Sequence, residues 1–133
     1  MQNMSKKHVI ATVNAPKAIG PYSQAVQVDN FLFISGQISI DATSSKVMLF
    51  DGDVAKQCEL ALKNLQAILA AANLSVDDVV KTTVYLRSMD DFAVMNRVYE
   101  QIFQGSKPAR ATVAVSGLPA AVSFEIDAIA VRS

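Results

Sequence analysis

The chain has 133 residues, enough for one ordinary domain with a real core. Hydrophobic residues make up 51% and the mean hydropathy is +0.27, more apolar surface than a domain this small can hide alone, so part of it is expected to lie against another subunit. Lys plus Arg total 12, as do Asp plus Glu, a balance that gives no electrostatic pull toward nucleic acid or an acidic membrane.

The lone cysteine, Cys58, excludes an internal disulfide framework and suits a reducing compartment. No run approaches the roughly 18 apolar residues of a membrane span. At the N-terminus, MQNMSKKHVIATV offers only the run VIATV after its lysines, too short for a signal peptide. A cytoplasmic protein with no membrane partner is expected. With no internal repeat, low-complexity stretch or linker, residues 1–133 are expected to form a single domain.

In chain order, HVIATV (8–13) is rich in strand formers and stops at Asn14-Ala15-Pro16. The loop AIGPYSQA follows, punctuated by Gly20-Pro21. AVQV and FLFISGQISI, joined at Asp29-Asn30, have the pattern of a hairpin, and DATSSKVMLFDGD is a polar loop. From Val54 the period changes. Val54, Cys58, Ala61, Leu65, Ile68 and Ala72 recur at steps of four and three, one face of a helix with Asp53 as N-cap and Asn73 as stop. DVVKTTVYL (78–86) is a strand. DFAVMNRVYEQIFQG is a second helix, with Phe92, Met95, Tyr99 and Ile102 on its apolar stripe and Gly105 as terminator. Pro108 opens a strand running to about Ser116, and SFEIDAIAVR is the last.

Two helices cannot clad both faces of a five- or six-stranded sheet, so both are expected on one face of a two-layer α+β domain. The other sheet face must then be polar or covered by a neighbour. Alternation along the strand after Pro108 puts Ala111, Val113 and Val115 on one side, and Arg110, Thr112 and Ala114 on the other. In the last strand Phe124, Ile126 and Ala128 oppose Ser123, Glu125 and Asp127. If the apolar rows face the helices, Arg110 and Glu125 both point away from them.

The single histidine, His8, and single cysteine exclude a Cys/His zinc site and leave a Ser-His-Asp triad resting on one terminal residue. Neither GxGxxG, Walker A nor EF-hand spacing occurs, and Asp51-Gly52-Asp53 is a turn leading into a helix cap. Basic residues are scattered and not interleaved with aromatics, unlike a nucleic-acid surface. What remains is Arg110, Glu125, Tyr22 and Ser35. Arg110 is a solvated strand-end charge, a structural partner of Glu125, or the holder of an anion; a guanidinium cannot shed its proton and, if buried, needs acceptors.

The strings GPYSQA (20–25), FISGQI (33–38), DVVKTTVYL, DDF (90–92), PARATVAVSGLP (108–119) and FEIDAIAV (124–131) resemble the Rid, or YjgF-type, family of reactive intermediate deaminases, also called liver perchloric-acid-soluble proteins. The resemblance runs in order over nearly the whole chain. It implies a chorismate-mutase-like fold, a homotrimer with sheets inward and helices outward, and a cleft at each subunit boundary. It also implies hydrolysis of small enamine or imine acids such as 2-aminoacrylate and 2-aminocrotonate to 2-keto acids and ammonia, protecting pyridoxal-dependent enzymes.

Carried over by the matching motifs, Arg110 would hold the substrate carboxylate and Glu125 would hold the attacking water or take its proton. Tyr22, Ser35 and the Gly36 backbone would line the pocket, with Phe92 an apolar wall and Tyr22 facing an arginine of a neighbouring chain. No metal or organic cofactor is implied. Two positions depart from the family pattern. Many members carry cysteine where this chain has Thr112, so a thiol's role does not transfer, although Thr112 can still line the pocket. Phe124 replaces an aliphatic residue and is expected in the core. The rival readings are an endoribonuclease and a ligand-binding or chaperone-like protein that uses the cleft without turnover.

Overall fold

The structure, a computed structural model, describes residues 6–133. Residues 1–5 of the N-terminal segment read above lie outside it. Six strands form one mixed sheet: β1 (His8–Ile10), β2 (Ala25–Val28), β3 (Phe31–Gln37), β4 (Val79–Leu86), β5 (Ala109–Ala114) and β6 (Phe124–Val131), in the order β1-β2-β3-β6-β4-β5. Neighbours are antiparallel except β4 and β5, which are parallel and joined across the helix α2 (Phe92–Phe103). The other helix is α1 (Val54–Ala71).

The helices form where the apolar stripes fall. The Asp53 carboxylate accepts from the Lys56 amide and caps α1. Cys58, Ala61, Leu65 and Ile68 are fully buried, and Asn73 ends the run in a left-handed turn (φ 60°). In α2, Met95, Val98, Tyr99 and Phe103 turn inward. Its exit differs from expectation: the left-handed residue is Lys107 (φ 46°), whose amide bonds the Phe103 carbonyl, while Gly105 serves no such turn.

Both helices lie on one sheet face, over Leu32, Ile34, Val84, Leu86, Phe124 and Ile126, giving the expected two-layer α+β fold. Phe124 is fully buried in that core. The opposite face is uncovered and carries exposed apolar side chains beside its polar ones: Val9, Phe31, Phe33 and Val113 are each more than 40% exposed. Among the described residues no helix is long and apolar enough to cross a membrane.

Side-chain amides fix the loops that border this sheet. β1 stops at Ile10, short of the expected Val13, because buried Gln24 takes over from the ladder. Its Oε1 accepts from the Thr12 amide (2.7 Å), and its Nε2 donates to the Pro16 carbonyl (2.8 Å). On α1, Asn64 donates to the Ile38 and Ile40 carbonyls, and Gln57 spans from the Leu49 carbonyl to the Ser123 amide. Each satisfies backbone groups that would otherwise be buried without partners.

Candidate functional site

Tyr22, Ser35, Gly36 and Glu125 come together in one cavity of about 400 Å³. Their convergence starts from a β-bulge. The β3–β6 register slips between Ile34 and Gln37, so Ser35 and Gly36 leave the ladder beside Glu125. The Ser35 hydroxyl donates to the Ser23 carbonyl (2.6 Å) and its amide to the Gln24 carbonyl (3.0 Å), tying the bulge to the 20–24 loop that presents Tyr22. That hydroxyl therefore faces the cavity as an acceptor, its proton already committed. Tyr22 follows a tight turn closed by its own amide on Gly20 (2.8 Å) and stands half exposed.

Glu125 lies directly over Gly36. A Cβ added there would sit 1.9 Å from Glu125 Oε2, so only glycine leaves room for the carboxylate. The position needs a missing side chain rather than a glycine backbone, because Gly36 is not among the positive-φ residues. Glu125 is half-buried, and burial raises its pKa above the ordinary glutamate value, with the neighbouring Asp127 charge adding to the shift. Asp127 itself accepts from the Tyr85 hydroxyl (2.9 Å) on the same face.

Arg110 stands elsewhere. The expectation that it shares the helix-free face with Glu125 is incorrect. In the parallel β4–β5 register Arg110 pairs with Thr82, whose buried hydroxyl bonds the Tyr99 hydroxyl of α2 (2.7 Å). The row holding Arg110 and Thr112 is thus the helix-side row. Arg110 Nη1 donates to Asn96 Oδ1 (2.7 Å), and its guanidinium lies 4.7 Å from the Tyr99 ring centroid and 5.6 Å from that of Phe92. Thr112 Oγ1 is buried with no hydrogen-bond partner among the described residues. The inversion has a plain cause. The open face also carries exposed apolar side chains, so the more hydrophobic row of an edge strand did not have to be the core row.

The expected site residues therefore fall into two groups on opposite faces of the sheet. Tyr22, Ser35, Gly36 and Glu125 border one cavity; Arg110 borders another of about 380 Å³ together with Asn96 and Tyr99, while Phe92 meets Arg110 through its ring and Thr112 shares its strand row. Arg110 and Glu125 are not partners within the chain, which removes the structural-pair reading of Arg110. Sequence reasoning missed Asn96 as the acceptor for Arg110. Its signal was present: a polar residue one turn from both Phe92 and Tyr99, on the same stripe of α2. Cys58 is inert in the core, its thiol pushed up to about 12 by burial.

Comparison with known proteins agrees with this architecture. The family model described as endoribonuclease L-PSP matches residues 12–132. A RutC family protein of Pyrococcus horikoshii is 54% identical over 126 residues, covering 95% of this chain and 98% of its own. A Mus musculus protein named 2-iminobutanoate/2-iminopropanoate deaminase is 51% identical, covering 95% and 92%. The crystal structure of E. coli TdcF with bound serine superimposes with a TM-score of 0.88 at 43% identity, covering 95% of this chain and 99% of that one. The chain belongs to the endoribonuclease L-PSP family, the Rid or YjgF-type proteins.

Proposed function

We propose that this protein is a cofactor-independent cytoplasmic deaminase that hydrolyses small 2-imino acids, the tautomers of 2-aminoacrylate and 2-aminocrotonate, in clefts between the subunits of a homotrimer. The observation that carries the reading is the placement of those two groups. A guanidinium with no carboxylate partner among the described residues and a half-buried glutamate lie on opposite faces of one sheet, and exposed apolar side chains stand on the open face. Arg110 sits on the sheet-edge strand β5, so a trimer that seats this edge of one copy against the bare face of the next would bring Arg110 to Glu125. The mouse relative carries the deaminase name, and TdcF holds serine, a small molecule with a carboxylate.

In this reading Arg110 takes the substrate carboxylate with two charge-assisted hydrogen bonds, worth about 1.5–3 kcal/mol each, and so fixes the imine carbon in place. Tyr22, Phe92 and Thr112 wall the cleft, and the Ser35 oxygen and Gly36 backbone border the water. Glu125 orients that water and accepts a proton as the oxygen attacks the imine carbon. Burial suits it to this role, because a glutamate with a raised pKa is the stronger base. It then returns the proton to the nitrogen of the tetrahedral adduct. The same carboxylate then carries the hydroxyl proton of that adduct to the nitrogen as the C–N bond breaks, so ammonia leaves and the carbonyl of the 2-keto acid forms. An imine is already electrophilic, so position and proton management suffice.

The family's endoribonuclease name draws no support from the site. Charge is balanced, and the one histidine, His8, is an exposed residue of β1. The test is a coupled assay in which a serine or threonine dehydratase generates the intermediate and its decay is followed. Faster decay with the wild type, lost in Arg110→Ala, is expected. Unchanged decay, or intact ligand held without keto acid, would leave a binding protein instead.

A further inference from the structure

A half-buried arginine ordinarily finds a carboxylate. Arg110 does not: among the described residues its one hydrogen-bond acceptor is the amide of Asn96, and its other neighbours on α2 are ring faces. The guanidinium only donates, so the amide oxygen must face it. Asn96 lies one helical turn after Phe92 and one before Tyr99, so a single stripe of α2 supplies all three contacts. The stripe is itself pinned, because the Tyr99 hydroxyl bonds the Thr82 hydroxyl (2.7 Å) on the strand residue paired with Arg110.

We propose that Asn96 is a positioning residue that orients the Arg110 guanidinium while leaving its charge uncompensated for a ligand carboxylate. The proposal rests on the carboxylate-holding role of Arg110 given above. Neutrality is the essential property. Asn96 occupies one Nη1 donor and sets the plane of the group, leaving further donors for a bidentate contact to a carboxylate. An acid of the same shape would make the same contact but would close the ion pair internally and compete with the ligand.

The experiment is calorimetric titration of 2-oxobutanoate, with thermal unfolding alongside, on wild type, Asn96→Asp, Asn96→Leu and Arg110→Ala. Asn96→Asp is expected to weaken binding by about tenfold or more, with Tm at or above that of the wild type. Asn96→Leu should weaken it less, because the charge stays available. Arg110→Ala should abolish it. Equal losses in the aspartate and leucine variants, wild-type affinity in Asn96→Asp, or an unfolded Asn96→Asp protein would each overturn the positioning role while the role of Arg110 stands. Wild type that fails to bind, or Arg110→Ala that binds normally, would remove the carboxylate reading itself and the positioning role with it.

Discussion

Replacing Gly36 by alanine tests the glutamate half of the site with one methyl group. The added Cβ would lie 1.9 Å from Glu125 Oε2 and 3.0 Å from its carboxyl carbon. To reach the 3.4 Å of ordinary contact, the oxygen must retreat about 1.5 Å. A shift of about 1 Å in a reacting group can cost roughly 10²-fold in rate, so kcat/KM in the coupled deamination assay should fall at least that far. Stability should barely respond. The obstructing atoms end a flexible side chain, and a rotamer adjustment costs about 0.5–1.5 kcal/mol. Removing a glycine from the unfolded chain returns about 0.4–1 kcal/mol where φ is compatible. Tm should therefore stay within about 4 °C of the wild type. Gly36→Ala that keeps half its activity would refute the placement of Glu125 in the chemistry. A collapse of Tm would show that the glycine serves the bulge rather than the carboxylate.

Two further outcomes follow from the same structure. Glu125 has a folded pKa raised by burial, so its stabilising contribution is complete below the ordinary glutamate value and is lost as pH rises through the folded one. Glu125→Gln, which cannot ionise, should unfold at a higher temperature than wild type near about pH 8, with the gap closing toward about pH 4, although activity is lost; a gap that widens in acid would contradict the shift. Phe33 stands 45% exposed on the bare sheet face. Phe33→Glu should yield folded monomers by light scattering and circular dichroism, inactive for want of the second half-site; an unchanged trimer would move the interface elsewhere.

Much of the fold was legible because its determinants are local. Asp53, the Cys58-to-Ile68 stripe and the Asp29-Asn30 turn each act within a few residues, and the structure places all three as their chemistry dictates. What was not legible depends on tertiary packing. Alternation divided β5 into the right two rows but could not say which faces α2, because exposed apolar side chains occur on the open face as well as in the core. The parallel pairing of Arg110 with Thr82, invisible in the strand itself, decides it. Gln24, Gln57 and Asn64 resemble ordinary polar residues until the loops they clamp are folded against them. Tyr22, Ser35, Gly36 and Glu125 were found through their motifs, and their spacing alone gave no reason to join them; the bulge at Ser35-Gly36 supplies that reason.

The central claim is that catalysis joins Arg110 of one chain to Glu125 of another, and subunit mixing tests it most directly. Arg110→Ala and Glu125→Gln, each inactive alone, would be unfolded together and refolded at equal concentration. In a randomly mixed trimer about one cleft in four would pair an intact Arg110 with an intact Glu125, so about a quarter of wild-type deaminase activity should return. No recovery on mixing, with the trimers demonstrably exchanged, would place both residues' work within one chain and contradict the account.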